Sequence, residues 1–550
     1  MECLWDEGRG DGDGGRTLTI AGTGVIVDVE FRGEVVEGVV LQFEGSRESV
    51  KEGAAAGAEV LRRDLRGDGE TGYVSLDGFV NNLERLATMD RLGGGGVSCF
   101  DAVDGLYRSL EKVFTWETGK VKELKIESVE ENVLCRQSGR PRLHTKGRVG
   151  LSLQYWMERR LLAEKQPGPD AMDVDTATTV NEDEQDEPSI WSAIIECEAS
   201  SAALYTSIKV SNDWVSEAVE KPAPTQDNGL PIDDSPIDWQ EPPPTLLAPE
   251  SPKNQTDVNR DPLLTHPKLP DVRFVARFEP PVIVPLQLAI DIHESVGSPL
   301  AQESLLPTTY ENLLFEDIDT KNQLIPNPRI LEKTITTYNP PTTSFSTHKH
   351  KYTLFTQPQD YARAITNLPF THPRQILVLL PTLRQWALAG SLLRRSFAPA
   401  TSDTTAPPTH TNGHPTPTPQ PTALSIEAAL ANFLSTPLTP PPSSPHTASH
   451  SFPHSTRDIQ ITLTTHPLPR LSLHFPNPHQ NGKLASIGFN IGLNGIIDGV
   501  DVDDGRAAWQ GNGSGSGGDL EGVGSLRERV RRVMEIGEDA GIGVEWLVRG

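Results

Sequence analysis

The sequence predicts an α+β fold, in which an N-terminal hairpin and helices are followed by a β-rich, mostly antiparallel body interrupted by disordered linkers. Three observations predict it. Segments with alternating apolar residues recur from residue 17 onward, and segments with helical apolar spacing cluster at 77–116 and 361–396. The composition limits the core, because the 550 residues include 47 Gly and 46 Pro and only 36% are hydrophobic.

The N-terminal unit is predicted to contain one hairpin and two helices. Apolar residues alternate over 17–31 and 35–43, and Gly33 lies in the gap between the two segments. Apolar residues then fall on one helical face over 77–92 and over 101–116, where Ser98 or Asp101 supplies an N-cap. We expect both helices to pack against the hairpin.

The body is predicted to begin with strands and to contain one long apolar block. Alternation predicts strands over 149–155, 191–197 and 272–278. The apolar run Val282–Ile290 is predicted to be an edge or bulged strand, because Pro280, Pro281 and Pro285 cannot donate to a sheet. The block 361–396 is predicted to form two helical pieces split by Pro381.

The C-terminal part is predicted to form hairpins, a helix and a last strand. Alternation predicts strands at 459–463, 471–475 and 487–491, followed by an Asn494-Gly495 turn. Ser525 and Glu528 form a capping box that opens a helix through Ile536. The apolar run Ile542–Val548 predicts a final strand.

Low-complexity segments divide the chain, because compositions poor in large apolar residues do not bury enough surface to offset chain entropy. An acidic segment, a Pro-rich segment, a Pro/Thr/Ser/His tract and a Gly/Ser stretch near 509–524 are such segments. The predicted units are an N-terminal α+β domain at 1–162, an acidic linker at 163–190, a strand segment of the body at 191–217, a Pro-rich linker at 218–270, a β/α body at 271–396, a disordered tract at 397–457 and C-terminal hairpins with a helix at 458–550.

The charge balance and the cysteines exclude several classes of protein. Lys and Arg number 49 against 75 Asp and Glu, a formal net charge of -26, which disfavours broad binding to nucleic acid or to an anionic membrane. The four cysteines include no Cys-x-x-Cys pair and are too few for a disulfide framework, so reduced core thiols in an intracellular protein are expected. We expect no signal peptide and, without a run of about 18 apolar residues, no transmembrane helix.

The sequence predicts no catalytic, cofactor-binding or metal site. Two G-x-G-x-x-G matches, at Gly10–Gly15 and Gly513–Gly518, lack the strand and helix that a phosphate-binding turn requires. His348 and His350 could contact one ion, but no nearby pattern completes four ligands, so surface histidines are expected. Cys135 with His144 is a weak candidate for a nucleophile and its base, and an ordinary buried or semi-buried thiol is the main expectation.

Four arginines are the candidate partner-binding residues: Arg136, Arg140, Arg142 and Arg148. Their segment also contains His144 and Lys146. Three interpretations stay open for it, namely a solvated loop and strand face, a site for an acidic protein partner, and, against the net charge, a nucleic-acid site.

Two apolar segments are candidate docking peptides. Ile376–Leu380 approximates an L-x-x-L-L motif, but the surrounding apolar pattern predicts a core helix. Leu424–Leu434 is a helix-compatible island inside the Pro/Thr tract, and it is either a peptide that folds on a partner or a chance fluctuation.

A family resemblance is carried by the segments Asn81–Ala87, Cys99–Gly105, Ser138–His144, Gly147–Leu151, Trp239–Thr245, Leu368–Gln375, Leu380–Gln385, Glu535–Asp539 and Val544–Trp546. In this order they resemble the fungal form of subunit 1 of Mediator of RNA polymerase II transcription. None of them is a catalytic signature. The resemblance covers the chain from about residue 3 to residue 548.

This resemblance implies a non-enzymatic coactivator subunit of the Mediator middle module. It implies a nuclear protein that binds other Mediator subunits and transcription factors and relays signals from gene-specific regulators to RNA polymerase II, with no cofactor. The alternatives are an unrecognised enzyme and an acidic-partner adaptor using Arg136–Arg148. Two departures are noted: the family's further N-terminal helical region is missing, as expected of a truncated gene model, and the L-x-x-L-L receptor box of animal relatives is absent.

Overall fold

The computed structural model describes most of the chain outside the low-complexity segments. Elements are numbered β1–β18 and α1–α9 in chain order. The described residues are 1–7, 15–66, 75–94, 96–126, 128–145, 147–158, 189–200, 207–222, 235–247, 268–300, 308–315, 328–339, 344–357, 359–398, 456–477, 482–503 and 519–549.

The N-terminal sheet is an antiparallel meander of four strands in the order β1-β2-β3-β4. These strands are β1 (Glu2–Glu7), β2 (Gly15–Ala21), β3 (Val25–Arg32) and β4 (Val35–Phe43). The predicted hairpin is confirmed, but the alternation over 17–31 spans two strands. The turn between them is held by Asp90, whose carboxylate accepts hydrogen bonds from the backbone N–H groups of Thr23 and Gly24.

Four helices follow this sheet, and two of them had not been predicted. They are α1 (Glu48–Arg66), α2 (Asp77–Gly93), α3 (Cys99–Glu123) and α4 (Val129–Arg136). The pattern of large apolar residues does not predict helix α1, because much of its buried face consists of Ala54, Gly57 and Ala58. These small residues let the helix approach the sheet closely, since a Cβ on Gly57 would lie 2.9 Å from a methyl carbon of Leu41.

The two predicted helices pack differently from each other. Leu86 of α2 lies in the core that strands β2–β4 share with α1. Helix α3 instead buries Ala102, Leu106 and Leu110 in the core of the body. Only its first turn reaches the hairpin, where the ring of Phe100 lies 4.7 Å from that of Phe43. The expectation that both helices pack on the hairpin therefore holds for α2, and for α3 only in part.

The first body sheet has six strands in the order β11-β14-β10-β7-β6-β5, all antiparallel. They are β5 (Arg140–Leu143), β6 (Leu151–Met157), β7 (Ile190–Ala199), β10 (Val272–Pro285), β11 (Thr308–Thr309) and β14 (Tyr361–Phe370). Strand β10 is central, so the predicted edge position is wrong. The predicted bulge is present, because the register with β14 shifts between Arg277 and Val282, around the two prolines.

The second body sheet has the order β12-β13-β15-β16-β17-β18. Its strands are β12 (Arg329–Asn339), β13 (Ser344–Phe355), β15 (Arg457–Thr464), β16 (Arg470–Asn477), β17 (Lys483–Ile491) and β18 (Ile497–Asp503). The pairing of β13 with β15 is parallel and the others are antiparallel. The predicted turn at Asn494 is confirmed, with Asn494 in the left-handed region at φ 58°.

Smaller elements complete the two sides of the body. A two-stranded ribbon pairs β8 (Val215–Glu220) with β9 (Ile237–Trp239). Strand β9 and the last three residues of β8 lie inside 218–270, the segment predicted to be a Pro-rich linker. Short helices α5 (Leu286–Ser295) and α6 (Tyr310–Leu314) flank β10 and β14. The apolar run after Pro285 is thus helical rather than extended.

The block 361–396 contains one strand and one helix, not two helical pieces. Helix α7 (Pro373–Ser396) continues through Pro381. Pro381 lies on the partly exposed side of the helix near Val378, whereas Ile376, Leu380 and Leu383 continue the buried face on either side of it. By length and composition α7 could cross a membrane, but 72% of its apolar window is buried in the body, as in a core helix.

The chain ends in two helices, α8 (Asp519–Gly537) and α9 (Ala540–Arg549). The predicted N-cap at Ser525 is wrong, because α8 begins six residues earlier. The predicted final strand is also wrong. Buried Ala540, Val544 and Val548 recur every four residues, a helical period that a short apolar run conceals.

Several predictions lie wholly or largely outside the described residues. These are the acidic segment, the tract with its island Leu424–Leu434, both G-x-G-x-x-G matches apart from Gly15, and Lys146. Ile376 and Leu380, by contrast, are buried in α7, as a core helix requires.

Candidate partner-binding groove

A groove of about 630 Å³ opens between the segment after β9 and the first turns of α7. We call it the α7 groove. It is lined by Trp239, Gln240, Glu241, Ser295, Thr371, His372, Arg374, Gln375, Val378 and Leu379. Its two walls come from segments 130 residues apart, Trp239–Thr245 and Leu368–Gln375, and both are segments that carry the family resemblance.

An aromatic cluster supports the groove at His372. The imidazole ring lies edge-on between two indoles, 5.2 Å from Trp214 and 5.4 Å from Trp239. Trp214 is fully buried and also contacts Phe274 of β10, which ties the cluster to the body core. The groove therefore stands on a fixed base.

His372 also fixes the start of α7. Its Nδ1 accepts the N–H of Arg374 at 3.1 Å, and its Nε2 lies 2.9 Å from the carbonyl oxygen of Gln240. The side chain of Gln375 in turn accepts the His372 N–H, which completes a capping box. Burial lowers the pKa of His372, so the neutral imidazole donates to Gln240 and accepts from Arg374.

The opposite wall is held by the ribbon and by a small separate core. Val215 and Val219 of β8 and Ile237 of β9 pack on Val113 of α3, and Trp239 packs against this cluster. Glu241 forms an ion pair with Lys209. The groove therefore has a rigid wall on each side.

The chemistry of the α7 groove is that of a binding surface. Val378 is 63% exposed, and Trp239 and Leu379 are half-buried beside it. Arg374 and Glu241 place one charge of each sign at the rim. An apolar strip with polar ends fits a helix or an extended segment of another protein.

The four candidate arginines do not form one patch. Arg140 donates to Gln154 at 2.8 Å and forms an ion pair with Glu130 at 3.2 Å. Arg148 forms an ion pair with Glu279, and its pKa is lowered by burial and by the neighbouring Arg85 and Arg277. Both arginines are therefore already bound to side chains of the same chain.

The remaining two, Arg136 at the end of α4 and Arg142 on β5, are exposed. Strand β5 is an edge strand, and Pro141 has no N–H to offer a further strand. This edge therefore presents charge rather than backbone donors.

Cys135 and His144 lie among different neighbours. Cys135 is buried in the body core near Arg384. His144 packs on α1, where a Cβ added to Gly53 would lie 3.6 Å from its Nε2. Its Nδ1 accepts the Gly150 N–H at 3.3 Å, and burial lowers its pKa to about 4.

The expectation that His348 and His350 are surface histidines is wrong for His350. It is fully buried, and its Nε2 lies 2.6 Å from Glu545 of α9, which also accepts Arg457 at 2.7 Å. His348, one strand period away, lies 3.7 Å from the same carboxylate. This cluster is a buried ion-pair network, and among the described residues no group of three or more ligating side chains could hold a metal ion.

Most other resemblance-bearing residues build the interior. Ser138 donates its N–H to buried Glu117 at 3.0 Å, and Gly139, at φ 82°, passes so close to Gln154 that a Cβ would lie 2.6 Å from that backbone oxygen. Arg384 and Gln385 bond to backbone carbonyls of other elements. The α7 groove is one place where such residues reach the surface.

Sequence reasoning missed the groove, because its walls are distant in the chain. The sequence contains one signal for this site. Trp239 lies shortly upstream of three prolines, and His372 directly precedes Pro373, which opens α7.

A comparison with family models finds one match. The family described as Mediator of RNA polymerase II transcription subunit 1 matches residues 1–398. A search of the curated proteins finds no match. The matched residues contain the N-terminal unit, the first body sheet, α7 and both walls of the groove.

Proposed function

The chain belongs to the family of Mediator of RNA polymerase II transcription subunit 1, and from this premise we propose that it is a middle-module coactivator subunit in the nucleus. It is a Mediator subunit and acts in the regulation of RNA polymerase II transcription. The proposal adds that it relays signals from gene-specific regulators and does so without catalysis. The observation that carries the proposal is the family match over the residues that form both walls of the α7 groove.

We propose that the α7 groove holds an amphipathic helix of another Mediator subunit. Such a helix would cover Val378, Leu379 and Trp239 with its apolar side. Its polar side would face the rim, where Arg374 and Glu241 lie. The fixed aromatic base favours this, because a groove that is already formed loses little conformational entropy on binding.

A substitution at Val378 tests the groove. In a pull-down of the tagged full chain from nuclear extract at moderate salt, Val378→Arg is expected to reduce recovery of middle-module subunits at least tenfold, because the new charge occupies the apolar strip. Leu484→Arg is the matched control, since Leu484 is 61% exposed and lies on β17, outside the groove lining. Equal recovery with both variants would refute the groove as the binding site.

The same pull-down tests the family-level proposal. Wild-type chain is expected to recover other middle-module subunits in comparable amounts, identified by mass spectrometry. Recovery of the bait alone would contradict the assignment to that module.

A second proposal concerns Arg136 and Arg142. Among the described residues neither side chain forms an ion pair, while Arg140 and Arg148 do. We propose that these two bind an acidic segment of a partner protein. Arg136→Ala with Arg142→Ala should weaken a salt-sensitive interaction, measured by titrating the pull-down from 50 to 300 mM salt, with Arg140→Ala, Arg148→Ala as the paired comparison.

We propose that the predicted unit 1–162 contributes α3, β5 and β6 to the body, and that 191–217, 271–396 and 458–550 supply the rest of it. The segments at 163–190, 218–270 and 397–457 are proposed to connect these units.

A further inference from the structure

The segment Glu241–Leu246, with the sequence Glu-Pro-Pro-Pro-Thr-Leu, crosses the surface next to the α7 groove. We call it the proline strip. Each of Glu241, Pro242 and Pro243 precedes a proline, and a residue before proline is pushed to extended backbone angles. The rings of Pro242, Pro243 and Pro244 fix φ near −65°. Together these two constraints leave a polyproline II conformation over Glu241–Pro244.

Contacts at both ends hold the proline strip in place. Just before it, Gln240 donates its N–H to the carbonyl of Trp214 at 2.9 Å. Within it, Thr245 Oγ1 accepts the N–H of Val210 at 2.8 Å. Just after it, Leu247 donates to the carbonyl of Lys268 at 2.8 Å.

One side of the proline strip is buried and the other is open. Pro242 is buried against the body, whereas Pro243 and Pro244 are exposed and Leu246 is 52% exposed. In the described part of the chain, no hydrogen bond is made to the carbonyl groups of Pro242, Pro243 or Pro244. The strip therefore offers apolar rings and free acceptors on one side.

We propose that the proline strip is a preformed ligand for a partner domain with an aromatic-lined groove, of the kind that SH3 and WW domains have. Such grooves stack aromatic rings on prolines and donate hydrogen bonds to the carbonyls between them. The strip should lose little conformational entropy on binding, because it is already anchored at both ends. This inference goes beyond the proposed function and does not depend on the α7 groove being occupied.

The test is binding of the purified full chain to an array of purified SH3 and WW domains. At least one domain is expected to bind the wild type, and the double variant Pro243→Ala, Pro244→Ala is expected to bind it at least tenfold more weakly. Thermal unfolding of the variant should match the wild type, since both rings are exposed. Leu246→Arg is a second variant that leaves the prolines intact and should also weaken binding.

Other proline-rich parts of the chain provide the decisive control. A deletion of 400–455 removes the Pro/Thr tract and should leave binding unchanged. Binding that survives the Pro243→Ala, Pro244→Ala change but disappears on this deletion would overturn the proposal, and so would the absence of binding to any domain of the array. A synthetic 239–247 peptide should compete for the same domain.

Discussion

Arg384 is a buried cation that bonds to four parts of the chain. Its guanidinium donates to the carbonyls of Tyr155 at 2.8 Å, Leu134 at 2.9 Å and Gln137 at 2.6 Å. A further N–H bonds to Asn494 Oδ1 at 2.7 Å. Burial lowers the pKa of Arg384 to about 10, so it stays charged at neutral pH.

Replacing this side chain should therefore be costly. Arg384→Met keeps an unbranched apolar stem but removes the guanidinium and leaves four acceptors without a donor, and we expect a loss of about 3–5 kcal/mol in the free energy of unfolding. Urea denaturation followed by circular dichroism measures it. Arg136→Met, an exposed control, should change stability by less than about 0.5 kcal/mol. Similar midpoints for the two variants would contradict the role of Arg384 as a cross-link.

Two glycines of α3 should respond in opposite directions to alanine. Gly119 has no heavy atom within 4 Å of a built Cβ, so Gly119→Ala should stabilise the protein by about 0.5–1 kcal/mol through helix propensity. A Cβ on Gly105 would lie 2.0 Å from the carbonyl oxygen of Ser211. Gly105→Ala should therefore cost about 1–3 kcal/mol or more, because backbone must move. Opposite shifts in the thermal midpoint would confirm this close approach, and a gain in both would exclude it.

At the scale of elements, the buried carboxylate of Glu545 links α9 to strands β13 and β15, through His350 and Arg457. Burial on its own would raise the pKa of Glu545, but the hydrogen bond from His350 and the charges of Arg457 and His348 outweigh it and lower the pKa below 4.5. A carboxyl group with a depressed pKa in the folded state stabilises the protein above its unfolded pKa. That stabilisation is lost as the pH falls through the folded value.

Glu545→Gln should remove this pH dependence. At pH 7 the variant should be less stable by about 2–3 kcal/mol, since a charged hydrogen-bond acceptor is lost. Between pH 5 and pH 3 its stability should fall less steeply than that of the wild type, as measured by urea midpoints at each pH. Glu294→Gln, at an exposed position near the end of α5, is the control and should keep the wild-type slope. Parallel slopes for Glu545→Gln and wild type would contradict the mechanism.

The elements that sequence reasoning found are those whose periodicity is carried by large apolar residues. Strands such as β16, with Leu471, Leu473 and Phe475 buried, are legible because one face is apolar and the other polar. Helix α1 was missed because small residues line its buried face, and α9 was mistaken for a strand because its apolar run is short. Pro381 does not split α7, contrary to the prediction. A proline on the partly exposed side of a long buried helix is tolerated when tertiary packing stabilises the helix.

The candidate site was less predictable than the fold, for a physical reason. The α7 groove depends on the contact between Trp239 and His372, which are 133 residues apart in the sequence. Local sequence patterns do not predict such a long-range contact. The four candidate arginines can be recognised in the sequence. In the structure, however, Arg140 and Arg148 form ion pairs with Glu130 and Glu279. Local sequence supplied candidate residues, and tertiary contacts selected among them.

At the scale of the whole molecule, the residues beyond the family match complete the same body. Strand β13, within the match, pairs with β15 beyond it. Gln385 donates to the carbonyl of Ile491 at 2.6 Å, and Lys333 pairs with Asp539 at 2.9 Å. The Ala540 N–H bonds to Ser396 Oγ at 3.1 Å, so the end of α7 and the start of α9 are adjacent.

These contacts predict that residues 1–398 cannot fold alone, because β13 would lose its pairing with β15. Arg384 would also lose its bond to Asn494, and Gln385 its bond to Ile491. Expressed separately, 1–398 should be insoluble or unfolded, whereas co-expression with 456–550 should give a soluble one-to-one complex on size exclusion. Joining the two pieces with about twelve Gly and Ser residues should restore a single chain with near wild-type stability, since the entropy of closing a loop changes slowly with its length. A stable, cooperatively unfolding 1–398 fragment would show instead that the second body sheet is an independent unit, and the shared core would then contribute little to folding.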